Sequence, residues 1–550
     1  MRAMQKRTAI TLALAAAVTL AGCNDDAFLT EVPQDFVAPE NFYRNEGDAV
    51  AAINAVYATF IAGTGDNYYG RNLPMVADFP TEMLTTRLSA TNERTAFDNY
   101  SWTPGHAYLQ GIWTGAYQAI NRANAVIDRV PGIPMDTARR SRIVAEAKFL
   151  RALHYFNLVR LFRGVPLRIH ETTSIDNLEM PRSTEAEVYA FIVQDLTDAI
   201  AVLPPKAGYA AAERGRATKG AARALLGKVY LQRGATGVGA TADFASAEQV
   251  LRQVLTSGEY SLAASHLVLF DVYGGTANED NSETIFAIQN VRAPGLGGRI
   301  GNHMAPTNTV PWLGTSTNGS IEAEYDVFNA PLTPLVTSPT IDSIRYPATD
   351  LRRSQSWLLT WNKGGTNVTW SPTASTGTNN NTYASHTPFP RKYLDPLMTG
   401  GGTEEPDYFI LRYADVLIML AAAINEQQGP TTEAAGFVNL VRKRAGLTTD
   451  TLSAGTLTKA RFKDAIFAER RWELVAEGQG HFDSQRHWEW ATRRIEENMR
   501  LGRAASQGNR YPKAAPTSPT EITSDKWKYF PIPQAEIDRN PAIEQTPEWK

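Results

Sequence analysis

Residues 145–167, AEAKFLRALHYFNLVRLFRGVPL, are the stretch that decides the fold. Here and just before it, largely apolar positions recur at the spacing of one helical face. These positions are Ile143, Ala147, Leu150, His154 and Leu158. Gly164 and Pro166 come next, and residues of these two types commonly end a helix. The stretch therefore predicts a long helix that ends before Gly164.

Similar helical spacing surrounds this stretch and defines a first helix-rich block over about residues 41–257. A helix is predicted within residues 111–130, and Thr184 with Glu187 has the pattern of a capping box at the start of another. A set of small residues suits close helix packing: Ala217, Gly220, Ala221, Ala224 and Gly227. Because the helices alternate with short breaks, we expect an array of paired helices.

A second helix-rich block is predicted over residues 408–500, followed by a Pro-rich tail, 526–550, that we expect to be extended. Between the blocks lies an irregular centre, residues 262–407, rich in Gly, Thr, Asn, Ser and Pro. Residues 284–289 predict one short strand there. Residues 363–386 are nearly a low-complexity Thr/Asn/Ser segment that cannot bury much apolar surface, so they are predicted to lie outside the core.

Four tryptophans lie in or beside the polar centre, namely Trp312, Trp357, Trp361 and Trp370. Aromatic side chains on loops over a rigid scaffold are a common way to build a binding face. Aromatic rings also suit the apolar faces of sugar rings. The alternative is that each tryptophan attaches its loop to the helical body, and the sequence leaves both interpretations open.

Residues 1–22 have the pattern of a lipoprotein signal peptide. A positively charged start precedes a small and apolar run, residues 8–20, that is too short for a membrane-spanning helix. The run closes with Leu-Ala-Gly and Cys23, the only cysteine among 550 residues. A single thiol at this position predicts lipid attachment and excludes an intramolecular disulfide. The acidic residues at 24–26 indicate either surface export or a solvated tether.

Charge and motif content exclude several classes of function. The net charge is −3 without a basic stripe, so nucleic acid is not an expected partner. The sequence has no Gly-x-Ser-x-Gly elbow, no His-Glu-x-x-His motif and no Walker loop. His481, Asp483 and His487 have a spacing that suits a metal, but packing or capping is the favoured interpretation. We therefore expect no cofactor and no metal.

Three carboxylates at helical spacing, Glu469, Glu473 and Glu477, stand among Arg470 and Arg471. A glycosidase needs a pair of carboxylates, so a hydrolase is one interpretation. Carboxylates spaced four residues apart among arginines more commonly form ion pairs along and between helices. The pattern favours a salt-bridged helix that contacts its neighbours.

Six segments, in order, resemble elements of the SusD/RagB family. They are residues 145–167, quoted above, AARALLGKVYL at 221–231, LRYADVL at 411–417 with Asn425-Glu426, NLVRKRAGL at 439–447, ERRWEL at 469–474 with the following EG and FD, and YFPIP at 529–533. Two positions depart from the family pattern. Ala422 stands where the family usually has Glu, and Gly480 stands near a usual basic residue, so local polar contacts there are in doubt.

The resemblance implies a mainly α fold, in which TPR-like helical hairpins pack against a loop-rich irregular part with a few short strands. It divides the mature chain into residues 24–260 and 261–550. It implies a cell-surface, lipid-anchored protein of the outer membrane that captures oligosaccharides for a SusC-like TonB-dependent transporter and is not an enzyme. The alternatives are peptide capture by the same architecture, a surface glycoside hydrolase, and a TPR-like scaffold that binds only proteins.

The resemblance also indicates where a ligand is expected to bind. Members of the family use aromatic and polar side chains on loops near the N-terminal helices and in the central irregular part. In this sequence the corresponding candidates are Asp78 and Arg87 on the loop after the first helix, Trp102 between helices, and Trp312, Tyr325, Trp357, Trp361 and Trp370 in the centre.

Overall fold

The computed structural model describes residues 42–61, 68–86, 92–98, 100–176, 178–270, 281–306, 309–310, 321–323, 346–363, 366–370, 384–385, 388–492 and 525–550. Within these ranges the chain is mainly helical with a few short strands, which confirms the predicted fold class. Cys23, Arg87, Trp312 and Tyr325 lie outside the described residues. Among the described residues, no helix is both long and apolar enough to span a membrane.

The N-terminal part forms the predicted array of helices. They are α1 (Glu46–Tyr57), α2 (Leu73–Asp78), α3 (Asn92–Asp98), α4 (Ala107–Arg129), α5 (Thr137–Phe162), α6 (Glu185–Val202), α7 (Lys219–Ala235) and α8 (Ala242–Leu255). From α4 to α8, each helix packs against the next one in the chain. The quoted stretch lies in α5, and almost all of its side chains are buried. Helix α5 is therefore a central element of the array.

Local sequence explains where these helices begin and how closely they pack. Thr184 and Glu187 form the predicted capping box at the start of α6, which satisfies two backbone N–H groups. Asp136 caps α5 by accepting a hydrogen bond from the N–H of Arg139. A Cβ atom added at Gly227 would lie 2.5 Å from the Leu251 side chain of α8. The small residue there allows the close approach of α7 and α8.

The centre contains short strands and two short helices. In chain order after β1 (Leu84–Thr86) they are β2 (Thr284–Ile288), α9 (Ile300–Met304), β3 (Thr309–Val310), β4 (Ile321–Ala323), α10 (Arg352–Gln355), β5 (Trp357–Leu358), β6 (Thr360–Lys363), β7 (Thr366–Trp370), β8 (Ala384–Ser385), β9 (Phe389–Pro390) and β10 (Tyr408–Arg412). Strand order β3-β6-β7-β8 makes one sheet, and three antiparallel pairs, β1–β4, β2–β10 and β5–β9, make the others. The strand predicted at residues 284–289 is confirmed as β2.

The C-terminal part contains α11 (Tyr413–Gln428), α12 (Thr432–Arg444), α13 (Lys459–Leu474), α14 (Gly480–Arg486), α15 (Asp525–Lys528) and α16 (Gln534–Arg539). Helix α8 packs against α11, and a continuous hydrophobic core runs through both helical blocks. The two blocks are therefore in direct contact.

Two sequence-based expectations about the C-terminal part were wrong. Residues 408–412 begin the second block as strand β10, which pairs with β2 and is buried along its length, rather than as helix. The tail was expected to be extended, but it forms two short helices. Phe530 and Ile532, between those helices, are fully buried. Burial against the body orders the tail despite its proline content.

Candidate functional site

Strands β1 and β4 bring together the two regions in which ligand-binding residues are predicted. β1 belongs to the N-terminal part and β4 to the irregular centre. They pair antiparallel, with Leu84 opposite Ala323 and Thr86 opposite Ile321. Arg87 follows β1 directly in sequence, and Tyr325 follows β4 after one residue. The strands from which these two candidates depart are therefore neighbours, and the β1–β4 pair is the centre of the candidate site.

Asp78 fixes the chain segment that leads into β1. It is the last residue of α2, whereas the sequence-based expectation placed it on a loop. Its Oδ2 accepts a hydrogen bond from the N–H of Gly478 at 2.8 Å, and its Oδ1 accepts one from the N–H of Gly480 at 3.0 Å. Burial raises the pKa of Asp78 to about 6 despite these bonds. Asp78 thus connects the N-terminal part to the start of α14, and its predicted ligand contact stays a prediction.

The two glycines whose N–H groups donate hydrogen bonds to Asp78 have little room for a side chain. A Cβ atom at Gly478 would lie 2.4 Å from the Tyr408 hydroxyl, and one at Gly480 would lie 2.8 Å from the Thr81 side chain. The φ angle of Gly478 is also 67°, a left-handed value that favours glycine. The departure from the family pattern at Gly480 therefore accompanies a close contact between segments.

Two further links hold the same segment in place, and the sequence analysis did not identify either. Arg471 of α13 forms an ion pair with Glu82, with Nε 2.5 Å from Oε1. The Tyr100 hydroxyl donates to the carbonyl oxygen of Pro80 at 2.9 Å. No local motif signals the contacts of Glu82 and Asp78, because their partners lie about 400 positions later in the chain. These contacts thereby fix residues 78–83, the segment that leads into β1.

Trp102 lies on a loop between α3 and α4, as predicted, but its ring is inside the protein. Only 2% of its surface is exposed. The ring packs edge-on against Trp527, with centroids 5.0 Å apart, and also against Phe530 and Tyr100. In this structure the ring faces contact protein, so Trp102 holds the loop and the C-terminal tail together. This packing favours the second of the two interpretations considered for such aromatic residues.

Two tryptophans of the centre are also buried. Trp357 of β5 is 1% exposed and joins the main core. Trp361 of β6 is 7% exposed and packs edge-on against Phe389 in a small separate cluster. The backbone of Trp370 pairs with Ser385 of β8, but its side chain is outside what the structure describes. In the β3-β6-β7-β8 sheet, the side chain of Trp361 is therefore buried.

The opposite face of the β6–β7 hairpin is polar, uncharged and open to solvent. The Thr360 hydroxyl lies 3.4 Å from that of Thr369, and Asn362 Nδ2 donates to Asn367 Oδ1 at 3.0 Å. We call these four residues the Thr/Asn ladder. The polar composition of this segment is evident in the sequence, but the ladder was not predicted. The available signal was two alternating runs separated by Gly-Gly, a typical hairpin pattern.

The carboxylates considered for a hydrolase belong to a buried ion network. Glu473 accepts from Arg412 and Arg444 and also pairs with Arg352 at 3.0 Å. Glu469 pairs with Arg352 at 2.6 Å. Arg442 pairs with Glu469 at 3.0 Å, and both Arg412 and Lys392 pair with Glu477. The predicted salt-bridged helix is confirmed, and its ion pairs join α13 to α12, β10 and the centre.

Electrostatics in this network oppose a role for Glu473 as a proton donor. Burial alone would raise its pKa, but the guanidinium groups of Arg444 and Arg412 outweigh burial and hold the pKa of Glu473 well below its usual range. A general acid must keep its proton near neutral pH. Glu473 is instead a permanent anion that balances its arginines.

The histidines considered for a metal have protein partners. His481 is fully buried, and its Nε2 lies 3.0 Å from the carbonyl oxygen of Lys528. His487 Nε2 lies 2.7 Å from Asp464, while Asp483 pairs with Arg470. Among the described residues, no group of three or more His, Cys, Asp or Glu side chains is arranged to hold a metal ion. The favoured packing role of these residues agrees with their contacts.

In the described residues, an array of helices packs against an irregular centre that carries short strands and an exposed polar hairpin face. Residues 276–549 match the family model described as "SusD family", and residues 41–231 match one described as "Starch-binding associating with outer membrane". The chain is 26% identical over 485 residues to SusD-like protein P2 of Formosa agariphila, an alignment covering 85% of this chain and 88% of that protein. The chain belongs to the SusD/RagB family.

Solved structures share the architecture. A SusD homolog from Bacteroides thetaiotaomicron matches with a TM-score of 0.74 at 22% identity, covering 93% of this chain and 98% of that one. Surface glycan-binding protein A from the same species, solved in complex with laminarihexaose, matches with a TM-score of 0.68 at 20% identity, covering 91% and 99%. At these identities the likeness establishes the fold.

Proposed function

We propose that this protein captures oligosaccharides at the cell surface and delivers them to a SusC-like TonB-dependent transporter. The observation that carries the proposal is the β1–β4 pair, because it joins the two chain regions that carry the predicted ligand-binding residues. Two comparisons support a glycan as the ligand: one matching family model is described as starch-binding, and one structural relative was solved with laminarihexaose. The ligand-binding segments are those that follow β1 and β4.

The chemistry of the described surface suits a neutral, hydroxyl-rich ligand. The Thr/Asn ladder offers amides and hydroxyls on an exposed strand face without a charged side chain among its four members. The aromatic rings of Trp312 and Tyr325, which follow β3 and β4 in the sequence, would stack on the apolar faces of sugar rings. Burying one aromatic side chain contributes about 1.5–3 kcal/mol by area. Losing one ring is then worth roughly a tenfold to hundredfold change in affinity.

We further propose that the protein binds its ligand without cleaving it. The carboxylates that a hydrolase would need, Glu469, Glu473 and Glu477, are each buried in ion pairs. The test is incubation of the purified protein with the bound oligosaccharide, followed by measurement of new reducing ends. Release of reducing ends that disappears in Glu477→Gln would support the hydrolase alternative.

Calorimetry tests the choice of ligand. Soluble protein beginning after Cys23 is titrated with a panel of neutral oligosaccharides and, in parallel, with a panel of extended peptides. The proposal expects at least one oligosaccharide to bind and the peptides to give no heat. Saturable binding of a peptide, with none of any oligosaccharide, would replace glycan capture by peptide capture on the same architecture.

The membrane attachment is proposed to run through a lipid on Cys23, with the protein facing the exterior. Cys23→Ala is expected to abolish labelling by a fatty-acid analogue and to release the protein from the outer-membrane fraction. Protease digestion of intact cells checks the orientation, because an exterior protein is degraded while periplasmic markers survive. A Cys23→Ala variant that still labels with lipid would contradict the anchor.

The proposed partner is tested by purification from native membranes in mild detergent. A large TonB-dependent barrel is expected to accompany the protein through affinity and size-exclusion steps. In the control, the affinity tag is placed on an unrelated outer-membrane lipoprotein, and less of the barrel should then be recovered. Isolation of this protein alone from native membranes would argue against the partnership.

A further inference from the structure

Arg160 of α5 is a buried cation with an unusual environment. Its side chain is 5% exposed, and its guanidinium lies between the rings of Phe156 and Phe482, at 4.0 and 3.6 Å from their centroids. Nη2 donates to Asn157 Oδ1 at 2.5 Å. Within the part of the chain that the structure describes, Nη1 has no hydrogen-bond partner and no carboxylate pairs with the guanidinium. Such a buried charge is costly unless something compensates it.

A chain of ion pairs next to Arg160 does not supply that compensation. Asp415 pairs with Lys228 at 2.9 Å and with Arg470 at 2.6 Å. Asp483 pairs with the same Arg470 at 3.0 Å and with Arg486. Three cations therefore share two carboxylates, so this chain is already positive before Arg160 is added. The neighbouring Arg471 is matched separately by Glu82.

Arg160 and Lys228 line one cavity. Its volume is about 20 Å³, and its wall is made by side chains of α5, α7 and α14 together with Tyr69 and Tyr408. A cavity of roughly 10–15 Å³ is enough for one water-sized occupant. Arg160, whose Nη1 has no partner among the described residues, and Lys228 thus both line a space that fits one small ligand.

We propose that this cavity binds a small monovalent anion of chloride size, held between Arg160 and Lys228. The excess positive charge of the surrounding groups selects an anion over a neutral molecule. Gln479 also lines the cavity with a carbonyl oxygen that has no partner among the described residues, and that dipole alone would favour water. Attraction between full charges in a buried site exceeds the effect of one amide dipole, so charge decides the occupant.

The anion would join three separate parts of the helical array. Arg160 belongs to α5, Lys228 to α7, and Phe482, stacked on Arg160, to α14. An ion that binds only the folded state raises its stability in proportion to the logarithm of its concentration. The proposal therefore predicts a stability that depends specifically on halide, separate from any glycan binding.

Thermal unfolding of halide-free protein tests the site. At constant ionic strength, replacing sodium gluconate by chloride or bromide is expected to raise the Tm by about 1 °C for each tenfold increase in halide above its Kd. Sulfate, which is larger and divalent, should give no such rise. Arg160→Met should abolish the halide effect, while Arg252→Met, which removes an exposed cation paired with Glu433, should keep it. Equal Tm values in chloride and gluconate would overturn the proposal.

Bromide crystallography gives a second test that does not require a variant to fold. Crystals of the unaltered chain grown in sodium bromide should show an anomalous scattering peak beside Arg160 Nη1. Electron density at that position without an anomalous signal would identify water and overturn the anion assignment. Should Arg160→Met fail to fold, this measurement and the halide dependence of the unaltered chain decide the question together.

Discussion

The ion network around Glu473 and the Thr/Asn ladder differ in almost every property that a sequence displays. In the network, within the described residues, five buried cations meet five buried carboxylates, and six of these ten residues lie in recognisable motifs. The four residues of the Thr/Asn ladder are uncharged, and they lie outside the six segments that resemble the family. The residues that look most reactive here therefore hold the fold, whereas the exposed polar side chains belong to a hairpin without charged members on that face.

The largest expected effect follows from removing the charge of Glu473. Glu473→Gln would remove one of the two buried anions, Glu473 and Glu283, that Arg412 and Arg444 share. Breaking a buried ion pair in this way costs about 3–5 kcal/mol of unfolding free energy. Denaturant unfolding measures it, with Glu433→Gln as the matched control, because Glu433 is half exposed in its pair with Arg252. The control should cost less than about 1 kcal/mol. A comparable loss in both variants would remove the distinction between the network and the surface.

Trp102→Ala is expected to come next in size. The substitution opens a cavity against Trp527 and Phe530, and removal of a buried tryptophan costs roughly 3 kcal/mol or more. Thermal unfolding should show the loss, while glycan affinity of the folded variant should stay within about twofold, a difference of less than 0.5 kcal/mol. A large loss of affinity with an unchanged Tm would instead make Trp102 a ligand-stacking ring.

Replacing Asp78 is expected to have a smaller effect on the free energy of unfolding, and the size of this effect depends on pH. Its pKa in the folded protein is about 6, above the ordinary value of 3.8, so folding takes up a proton between these two values. Stability contributed by Asp78 is therefore greatest at low pH and is lost as the pH rises through about 6. Relative to Asp78→Asn, the unaltered protein should gain on the order of 2 kcal/mol as the pH falls from 7 to 4. A stability difference that is constant across this range would contradict the assignment.

The smallest effect on stability is expected in the Thr/Asn ladder. Asn367 is exposed, and its partner Asn362 can hydrogen-bond to water instead. Asn367→Ala should change the unfolding free energy by less than about 0.5 kcal/mol. Thermal unfolding checks this value, and calorimetry with a bound oligosaccharide then shows whether the ladder also contributes to affinity. A loss as large as that of Trp102→Ala would mean that the ladder is structural.

Sequence patterns predicted the elements whose determinants are local. The spacing in α5 and the capping box at Thr184 are both properties of a few neighbouring residues, and both are confirmed. Strand β10 was missed because its buried state depends on pairing with β2, more than 100 residues earlier in the chain. The tail was missed for the same reason, since its packing residue Phe530 contacts Trp102.

The candidate site was predictable only in outline. The sequence pointed to two regions of the chain, the pairing of β1 with β4 connects them, and the ligand contacts of their residues stay a prediction. Which aromatic residues face inward was not predictable, because burial of Trp102 and Trp361 depends on partners brought in by the tertiary fold. Anchoring by Asp78 depends likewise on glycines 400 positions away.

Calorimetry on two sets of variants tests the central claim most directly. The oligosaccharide that binds the unaltered protein is titrated into Trp312→Ala and Tyr325→Ala, which follow β3 and β4, and into Trp102→Ala as the buried control. We expect a roughly tenfold to hundredfold loss of affinity in the first two variants, because each loses an aromatic contact of about 1.5–3 kcal/mol, and little change in the third. Unchanged affinity in both Trp312→Ala and Tyr325→Ala would contradict the placement of the binding face.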